Sequence, residues 1–392
     1  MGEESTAASA AATLRPPRIV HVLGGFSVGG TERLCLAIVR QWSQKFESVV
    51  VGLDPAKHGI ESEFLATQGV TIARGPGGGH AARLSYLVRL LRRQQPAGVV
   101  VYAFGVAHLI VAVAKLAARS HAPALVSAGN PPPAGSGRWK WRGIVLASRA
   151  LGVPIMACSE TVQRELGELG VGLPSGSGVI YNGCDVSGIA ERARSSRGTR
   201  PVGSPFVIGM VARLNAIKDH ALLLRAFAEV PVRMPERAVE LWFVGDGELR
   251  PRLQALAGEC GVQGSVRFFG AREDVPELLG QMDLFAFCTT RNEGFGIALV
   301  EAMAAGTPIV ASDVPACREV LAAGRDGVLV EAPSVAAWSA ALGSLIEDPA
   351  RRAQLALQAT EAVRARFSAQ ACAERWIEAL GVGRPADGGA PG

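Results

Sequence analysis

The sequence predicts an α/β protein of two doubly wound domains, and three observations carry that prediction. Strand-like apolar runs alternate with helix-like runs from residue 19 to residue 158, and the alternation starts afresh at residue 206. A polar, irregular stretch at 187–205, with Arg192, Arg194, Arg197, Arg200, Gly198 and Gly203, separates the two series and reads as a linker. At 392 residues the chain has room for two cores of ordinary size.

Composition narrows the class. A hydrophobic content of 48% against 19% charged residues describes a globular protein rather than a disordered one. No apolar run approaches the ~18 uncharged residues of a membrane span, and the best attempt, 109–116, is interrupted by Lys115. The start, with Glu3 and Glu4, lacks the basic and apolar regions of a secretory signal. Seven cysteines, odd in number, scattered and without C-x-x-C, predict free thiols in a reducing cytoplasm and no structural zinc. The expected location is cytoplasmic, with the inner face of a membrane as a peripheral station. A net charge of +5 permits an acidic substrate or an anionic membrane surface. No nucleic-acid-binding spacing is present, so no nucleic acid is expected as a partner.

Taken in order, residues 1–17 are Ala/Ser-rich and read as a disordered leader. A strand at 19–23 leads through Gly24, Gly25, Gly29 and Gly30 into a helix carrying Leu34 to Trp42, with Thr31 as its expected N-cap and Glu32 in its first turn. This is a βα unit, but its glycine spacing does not fit G-x-G-x-x-G. Residues 49–53 form a strand, and Leu84, Leu87, Val88 and Leu91 mark one helix face. Residues 99–104 are almost wholly apolar, as a parallel strand covered on both faces requires. A helix at 109–118 and strands at 124–128 and 155–158 complete the first series. Ligands of such a domain sit at the carboxyl ends of its strands, where His108 and Gly129-Asn130 lie. The run Gly137-Arg138-Trp139-Lys140-Trp141-Arg142 is basic and aromatic; it could suit an anionic bilayer or an anionic acceptor, but an ordinary exposed connection is the preferred reading.

The second series opens with a strand at 206–211 followed by Arg213-Leu214 and Lys218. A strand at 239–244 turns through Gly245-Asp246-Gly247, and Arg250 stands where a dinucleotide fingerprint would need its third glycine. A strand at 266–269 precedes Arg272. A β-type run at 284–288 then leads into Glu293-Gly294-Phe295-Gly296 and a short apolar helix, Ile297 and Ala298 onward, stopped by Gly306-Thr307-Pro308. Such a helix start offers free backbone N–H groups and the positive end of a dipole to an anion. Glu301 lies within that apolar helix, where an unpaired carboxylate is expensive. Glu293 and Glu301 are separated by at most ~12 Å along a helix axis, a span that suits a ligand with hydroxyls at both ends and a diphosphate between.

The Glu293 to Glu301 run resembles the E-x7-E element of retaining, GT-B-fold glycosyltransferases of family 4, the glycosyl transferases group 1. The resemblance extends, with gaps, from about Arg18 to Leu380. It implies a GT-B fold, two Rossmann-like domains facing across a cleft. Residues 18–186 would then take the acceptor, 206–366 the nucleotide-sugar donor, and 367–380 would return as a helix to the first domain, with 381–392 a loose tail. Val179 to Asp185 resembles the I-x-N-G-x-D that closes the first domain. By the same resemblance Glu293 binds sugar hydroxyls and Glu301 the ribose. Gly29 and Gly30 of a G-G-x-E loop lie against the donor phosphates, and Arg213 and Lys218 of an R-L-x-x-x-K element clamp them. Gly245 and Gly247 line the nucleotide pocket, the Arg272 loop meets the base, and Gly294, Phe295, Gly296, Ile297 and Ala298 complete the donor site. His108 is the one histidine in place to approach the reacting sugar. The catalytic candidates are thus Arg213, Lys218, Glu293 and His108.

No P-loop, G-x-S-x-G, H-E-x-x-H or D-x-D motif occurs, so the expectation is a metal-free and cofactor-free transfer. Fixed cations and a helix N-terminus would stabilise the departing diphosphate instead. The resemblance implies retention of configuration, and a front-face reaction in which the leaving oxygen takes the acceptor proton needs no strong protein base. The expected donor is a UDP-sugar, with GDP-mannose next, and the acceptor a glycan, a lipid-linked sugar or a small molecule. A GT-B epimerase or hydrolase and a catalytically silent nucleotide-sugar binder are the alternatives.

Overall fold

In the computed structural model, which describes residues 16–382 apart from 134, 231–233, 235 and 332, the alternation resolves into two all-parallel sheets. The first comprises β1 (Arg18–Leu23), β2 (Glu47–Gly52), β3 (Val70–Arg74), β4 (Gly98–Val101), β5 (Ala124–Ala128), β6 (Ile155–Ala157) and β7 (Gly178–Val179), in the order β3-β2-β1-β4-β5-β6-β7. The second comprises β8 (Phe206–Val211), β9 (Val239–Val244), β10 (Val266–Gly270), β11 (Leu284–Phe287), β12 (Ile309–Ser312) and β13 (Val328–Val330), in the order β10-β9-β8-β11-β12-β13. Each sheet grows one way from its first strand and then reverses, between β1 and β4 and again between β8 and β11. A crevice opens at such a reversal, on the carboxyl side of the strands. The two crevices face each other, and the architecture is GT-B.

The helices of the first unit are α1 (Gly30–Trp42), α2 (Glu61–Leu65), α3 (His80–Gln94), α4 (Val106–Ala118), α5 (Arg138–Ala150) and α6 (Glu160–Gly167). Alternate residues of its strands serve two cores. Val20, Val22, Val99, Val101 and Val126 pack on Leu87, Leu91, Val111, Val145 and Val162 from α3 to α6. Ile19, Val50, Val100 and Leu125 pack on Leu34, Ile38 and Trp42 of α1. Both faces being covered, the strands are apolar almost throughout.

The second unit carries α7 (Val186–Arg197), α8 (His220–Ala228), α9 (Arg250–Glu259), α10 (Val275–Gln281), α11 (Ile297–Ala305), α12 (Pro315–Val320), α13 (Val335–Glu347), α14 (Pro349–Arg366) and α15 (Ala369–Leu380). The last of these crosses back to the first unit. Trp376 and Leu380 join the Ile19–Trp42 core, and Trp42 Nε1 donates to the Ala373 carbonyl at 3.2 Å. At the crossing, Cys184 N–H donates to Phe367 O and Ala369 N–H to Cys184 O, at 3.0 and 2.8 Å. Phe367 stacks its edge on Tyr181 and Phe295.

Several local expectations are corrected. The stretch 187–205 is not irregular: most of it is α7, capped by Asp185 and packed on α10 and α11 through Ile189 and Ala193. Its apolar residues are few enough to be masked by arginine and serine in the sequence. Thr31 is not an N-cap, because α1 already begins at Gly30 with Gly29 in extended conformation and no side-chain cap. The strand expected at 99–104 stops at Val101, and Phe104 turns to stack on His108. The basic-aromatic run is the first turn and more of α5, not a connection. Helix α2 and strand β3 were not expected at all. Of the expected leader and tail, 1–15 and 383–392 lie outside the described residues.

Candidate active site

Two helix N-termini meet across the crevice. The start of α1 carries no side-chain cap, and neither does the start of α11, where Gly296 adopts φ +82° as the N-cap. That left-handed geometry suits glycine. A Cβ added to Gly30 would stand 2.9 Å from Ile297 Cγ2, so the two starts touch. Their free amides and dipoles together favour an anion at that point. The cleft measures about 720 Å³, and its walls come from both units. That volume falls within the range of pockets that enclose a small ligand.

The second unit supplies the charges. The loop after β8 is zipped to the loop after β11: Thr290 N–H donates to Ile217 O at 3.0 Å, Thr289 Oγ1 lies 3.1 Å from the same carbonyl, and Asp219 N–H donates to Cys288 O at 3.1 Å. This brings Lys218 Nζ against the Glu293 carboxylate and over the Phe287 ring, 4.3 Å from its centroid. Burial works against the Glu293 charge, but the Lys218 ammonium, with hydrogen bonds from Phe295 N–H and Thr289 Oγ1, outweighs it and holds the pKa below the ordinary value. Arg213 is exposed along the cleft wall and faces the first unit's Gly29 and Glu32. Two cations and two helix starts thus surround one space, an arrangement that favours an anion such as a phosphate group.

Glu301 keeps part of its surface open to the cleft. Enclosure by the protein raises its pKa, and the Arg33 charge opposes the rise. Arg33 also donates to the Arg272 carbonyl at 3.3 Å, tying the α1 start to the far end of the cleft. There Val211, Val244, Gly245, Ala271 and Val275 form a more apolar wall. Among the described residues no group of His, Cys, Asp or Glu is arranged to hold a metal ion.

The structure brings Gly29, Gly30, Arg213, Lys218, Gly245, Arg272, Glu293, Phe295, Gly296, Ile297, Ala298 and Glu301 to the cleft. It places three other candidates elsewhere. His108 is corrected: its ring is buried, 1% exposed, and turned away into the helical layer. Gly105 N–H donates to its Nδ1 at 3.0 Å, which leaves the proton on Nε2 to be donated to Ser148 Oγ at 2.5 Å. Burial lowers its pKa to about 4, so the ring is a neutral staple between α4 and α5. Gly247 lies behind the wall, where a Cβ would fall 2.3 Å from Leu214 O. Gly294 is a contact between units: a Cβ there would fall 2.0 Å from Gly129 O, and its own carbonyl accepts from Ser159 Oγ at 2.7 Å. Arg272 reaches the cleft, but Asp274 holds its guanidinium at 2.6 and 2.7 Å.

Sequence reasoning missed Arg33 as a lining residue, and it named the G-G-x-E loop without placing Glu32, which sits just behind the lining beside Gly29 and Arg213. Glu32 is 8% exposed, accepts from Ser27 Oγ at 3.1 Å, and has its pKa raised by burial, with Arg213 and Lys57 pulling the other way. A carboxylate two positions past a glycine pair at a helix start was the available signal.

Residues 191–362 match the family model described as glycosyl transferases group 1. The chain is 33% identical over 213 residues to the D-inositol 3-phosphate glycosyltransferase of Corynebacterium urealyticum, covering 51% of this chain and 50% of that protein. It is 35% identical over 186 residues to the phosphatidyl-myo-inositol mannosyltransferase of Mycolicibacterium smegmatis, covering 47% of this chain and 46% of that protein. The chain therefore matches about half the length of these relatives. Among solved structures, Anabaena HepE in complex with UDP and glucose superposes with a TM-score of 0.77 at 23% identity, over 93% of this chain and 99% of that one. That likeness concerns the fold.

Proposed function

We propose that this chain, whose C-terminal half carries a group 1 glycosyltransferase domain, moves a sugar from a nucleoside-diphosphate sugar to a hydroxyl acceptor. The observation that carries the reading is the convergence of Arg213, Lys218 and the α11 start on one space, with Glu293 and Glu301 on either side. The diphosphate lies against the cations and the two helix starts, the ribose reaches Glu301, and the sugar hydroxyls reach Glu293. When the bond between the anomeric carbon and the phosphate oxygen breaks, negative charge grows on that oxygen. Preorganised cations and amides stabilise it more in the transition state than before it.

The acceptor oxygen attacks from the same face and configuration is retained. Its proton passes to the leaving phosphate oxygen, so the balance needs no protein base and no metal ion. Glu293, paired with Lys218, is an acceptor of hydrogen bonds rather than of this proton. The apolar wall by Val244 and Val275 takes the base. Uracil is the favoured base, because the similarly folded HepE holds UDP-glucose. The acceptor is a hydroxyl of a glycan, of a lipid-linked sugar or of a small polyol.

The test is a panel of UDP- and GDP-sugars, read by thermal shift and then by nucleoside diphosphate release with a hydroxyl acceptor, with and without EDTA. The expected result is one preferred donor that raises the Tm and turnover that survives EDTA. Free sugar produced as fast without acceptor as with it would instead identify a hydrolase.

A further inference from the structure

We propose that the outer face of the α3–α4–α5 layer docks on an anionic lipid bilayer. The first observation is a charge asymmetry. Residues 64–159, 96 in succession, contain none of the chain's 35 carboxylates and 11 of its 40 lysines and arginines. The remaining residues carry 29 cations against those 35 carboxylates, so the positive charge of the whole chain comes from this segment. The ten cations from Arg83 to Arg149 form no ion pair among the described residues. Several are directed by backbone groups instead: Arg92 donates to Ala117 O at 2.8 Å and Arg149 to Val171 O at 3.1 Å.

The second observation is where apolar side chains are left in water. Among the described residues eight large hydrophobic side chains are exposed, and five of them stand on two adjacent helices of this layer: Val106, Val113 and Leu116 on α4, Trp139 and Leu146 on α5. On α4 they recur at i, i+7 and i+10, and on α5 at i and i+7, so each helix presents one apolar stripe outward. Trp139 is 67% exposed, and Lys140 lies 5.5 Å from its ring centroid, with Arg142 exposed one turn-edge away. The helices beneath are tied together: His108 bonds Ser148, and Phe104 packs on Trp141 at 5.0 Å. The surface is therefore preformed.

Apolar stripes flanked by cations, with an indole at their edge, match the depth profile of a bilayer interface. Aliphatic groups enter the acyl boundary, tryptophan sits at headgroup level, and lysine and arginine reach phosphates. A nucleic acid would use the cations but leave Val113, Leu116 and Leu146 without a partner, so lipid is the better match. No helix of the described residues is long and apolar enough to cross the membrane, which makes the contact peripheral. The inference does not depend on the proposed reaction.

The experiment is co-sedimentation of the full chain with phosphatidylcholine vesicles, with and without 30 mol% phosphatidylglycerol as an order-of-magnitude charge load of roughly one lipid in three, at low and high salt. Binding is expected to the anionic vesicles alone and to weaken with salt. Lys140→Glu/Arg142→Glu and Trp139→Ser/Leu146→Ser, each with a wild-type Tm, should each lower partitioning by about tenfold or more. Wild-type failure to bind, equal binding to neutral vesicles, or unchanged binding by both folded variants would overturn the proposal. So would binding to RNA that matches vesicle binding and ignores Trp139→Ser/Leu146→Ser, or a dimer that this variant dissolves.

Discussion

The ammonium of Lys218 is paired with the carboxylate of Glu293, and the two residues follow adjacent parallel strands, β8 and β11, on either side of the sheet's reversal point. Neither is free to move alone, because the hydrogen bonds between their loops fix both backbones. Lys218→Met leaves a buried carboxylate uncompensated, which typically costs about 3–5 kcal/mol. Lys218→Met/Glu293→Gln should recover part of that loss, giving a coupling of roughly 0.5–3 kcal/mol in urea denaturation. Activity should fall by about 100-fold or more in both. Additive stability changes would contradict the pairing.

Glu319 of α12 reaches across the interface to cap α6. Its carboxylate accepts from Glu160 N–H at 2.6 Å, Thr161 N–H at 3.0 Å and Thr161 Oγ1 at 2.8 Å. A charge at a helix start is favourable, and here it also joins the two units. Glu319→Ala should lower stability by about 1–3 kcal/mol and enlarge the radius of gyration in small-angle scattering. An unchanged scattering profile and Tm would show that the contact contributes nothing.

Gly294 has no room for a side chain against Gly129 O. Gly294→Val should force the units apart at the crevice. Donor binding should be lost, while circular dichroism still reports both folded sheets. Wild-type donor affinity in this variant would show that the contact is dispensable.

Burial lowers the pKa of His21 to about 3 and those of His108 and His220 to about 4. The unfolded chain binds protons on these rings near pH 6.5, and the folded chain does not. Their contribution to stability is therefore complete above pH 6.5 and is lost as pH falls towards 4. Each ring adds a slope of up to about 1.4 kcal/mol per pH unit in that window. His108→Gln should lower the slope measured between pH 5 and 6 by about one ring's share, lower the Tm, and spare turnover at pH 7.5. A collapse of kcat with an unchanged slope would return His108 to the active site.

Much of this was legible in the chain. Strand-terminal glycines and the charges of Arg213, Lys218, Glu293 and Glu301 are local marks of a crevice, because the sheet order puts the carboxyl ends of β8 and β11 side by side. The position of His108 after β4 was equally legible, but the direction of its ring was not. That depends on Ser148, forty residues away, and on the packing of α4 against α5. Helix α7 was hidden because its buried face is only Val186, Ile189, Ala193 and Ser196, among arginines that read as solvent-facing loop. Gly247 and Gly294 resemble ligand-facing glycines in sequence. Only the packed backbones show that each is there for a neighbouring chain segment.

The central claim is that cations and a helix start of the second unit grip a diphosphate. Isothermal titration of UDP and uridine against wild type and Arg213→Gln tests it most directly. The account predicts that the variant binds UDP at least about tenfold more weakly and uridine as well as wild type does. Equal UDP affinity in the two proteins would contradict it.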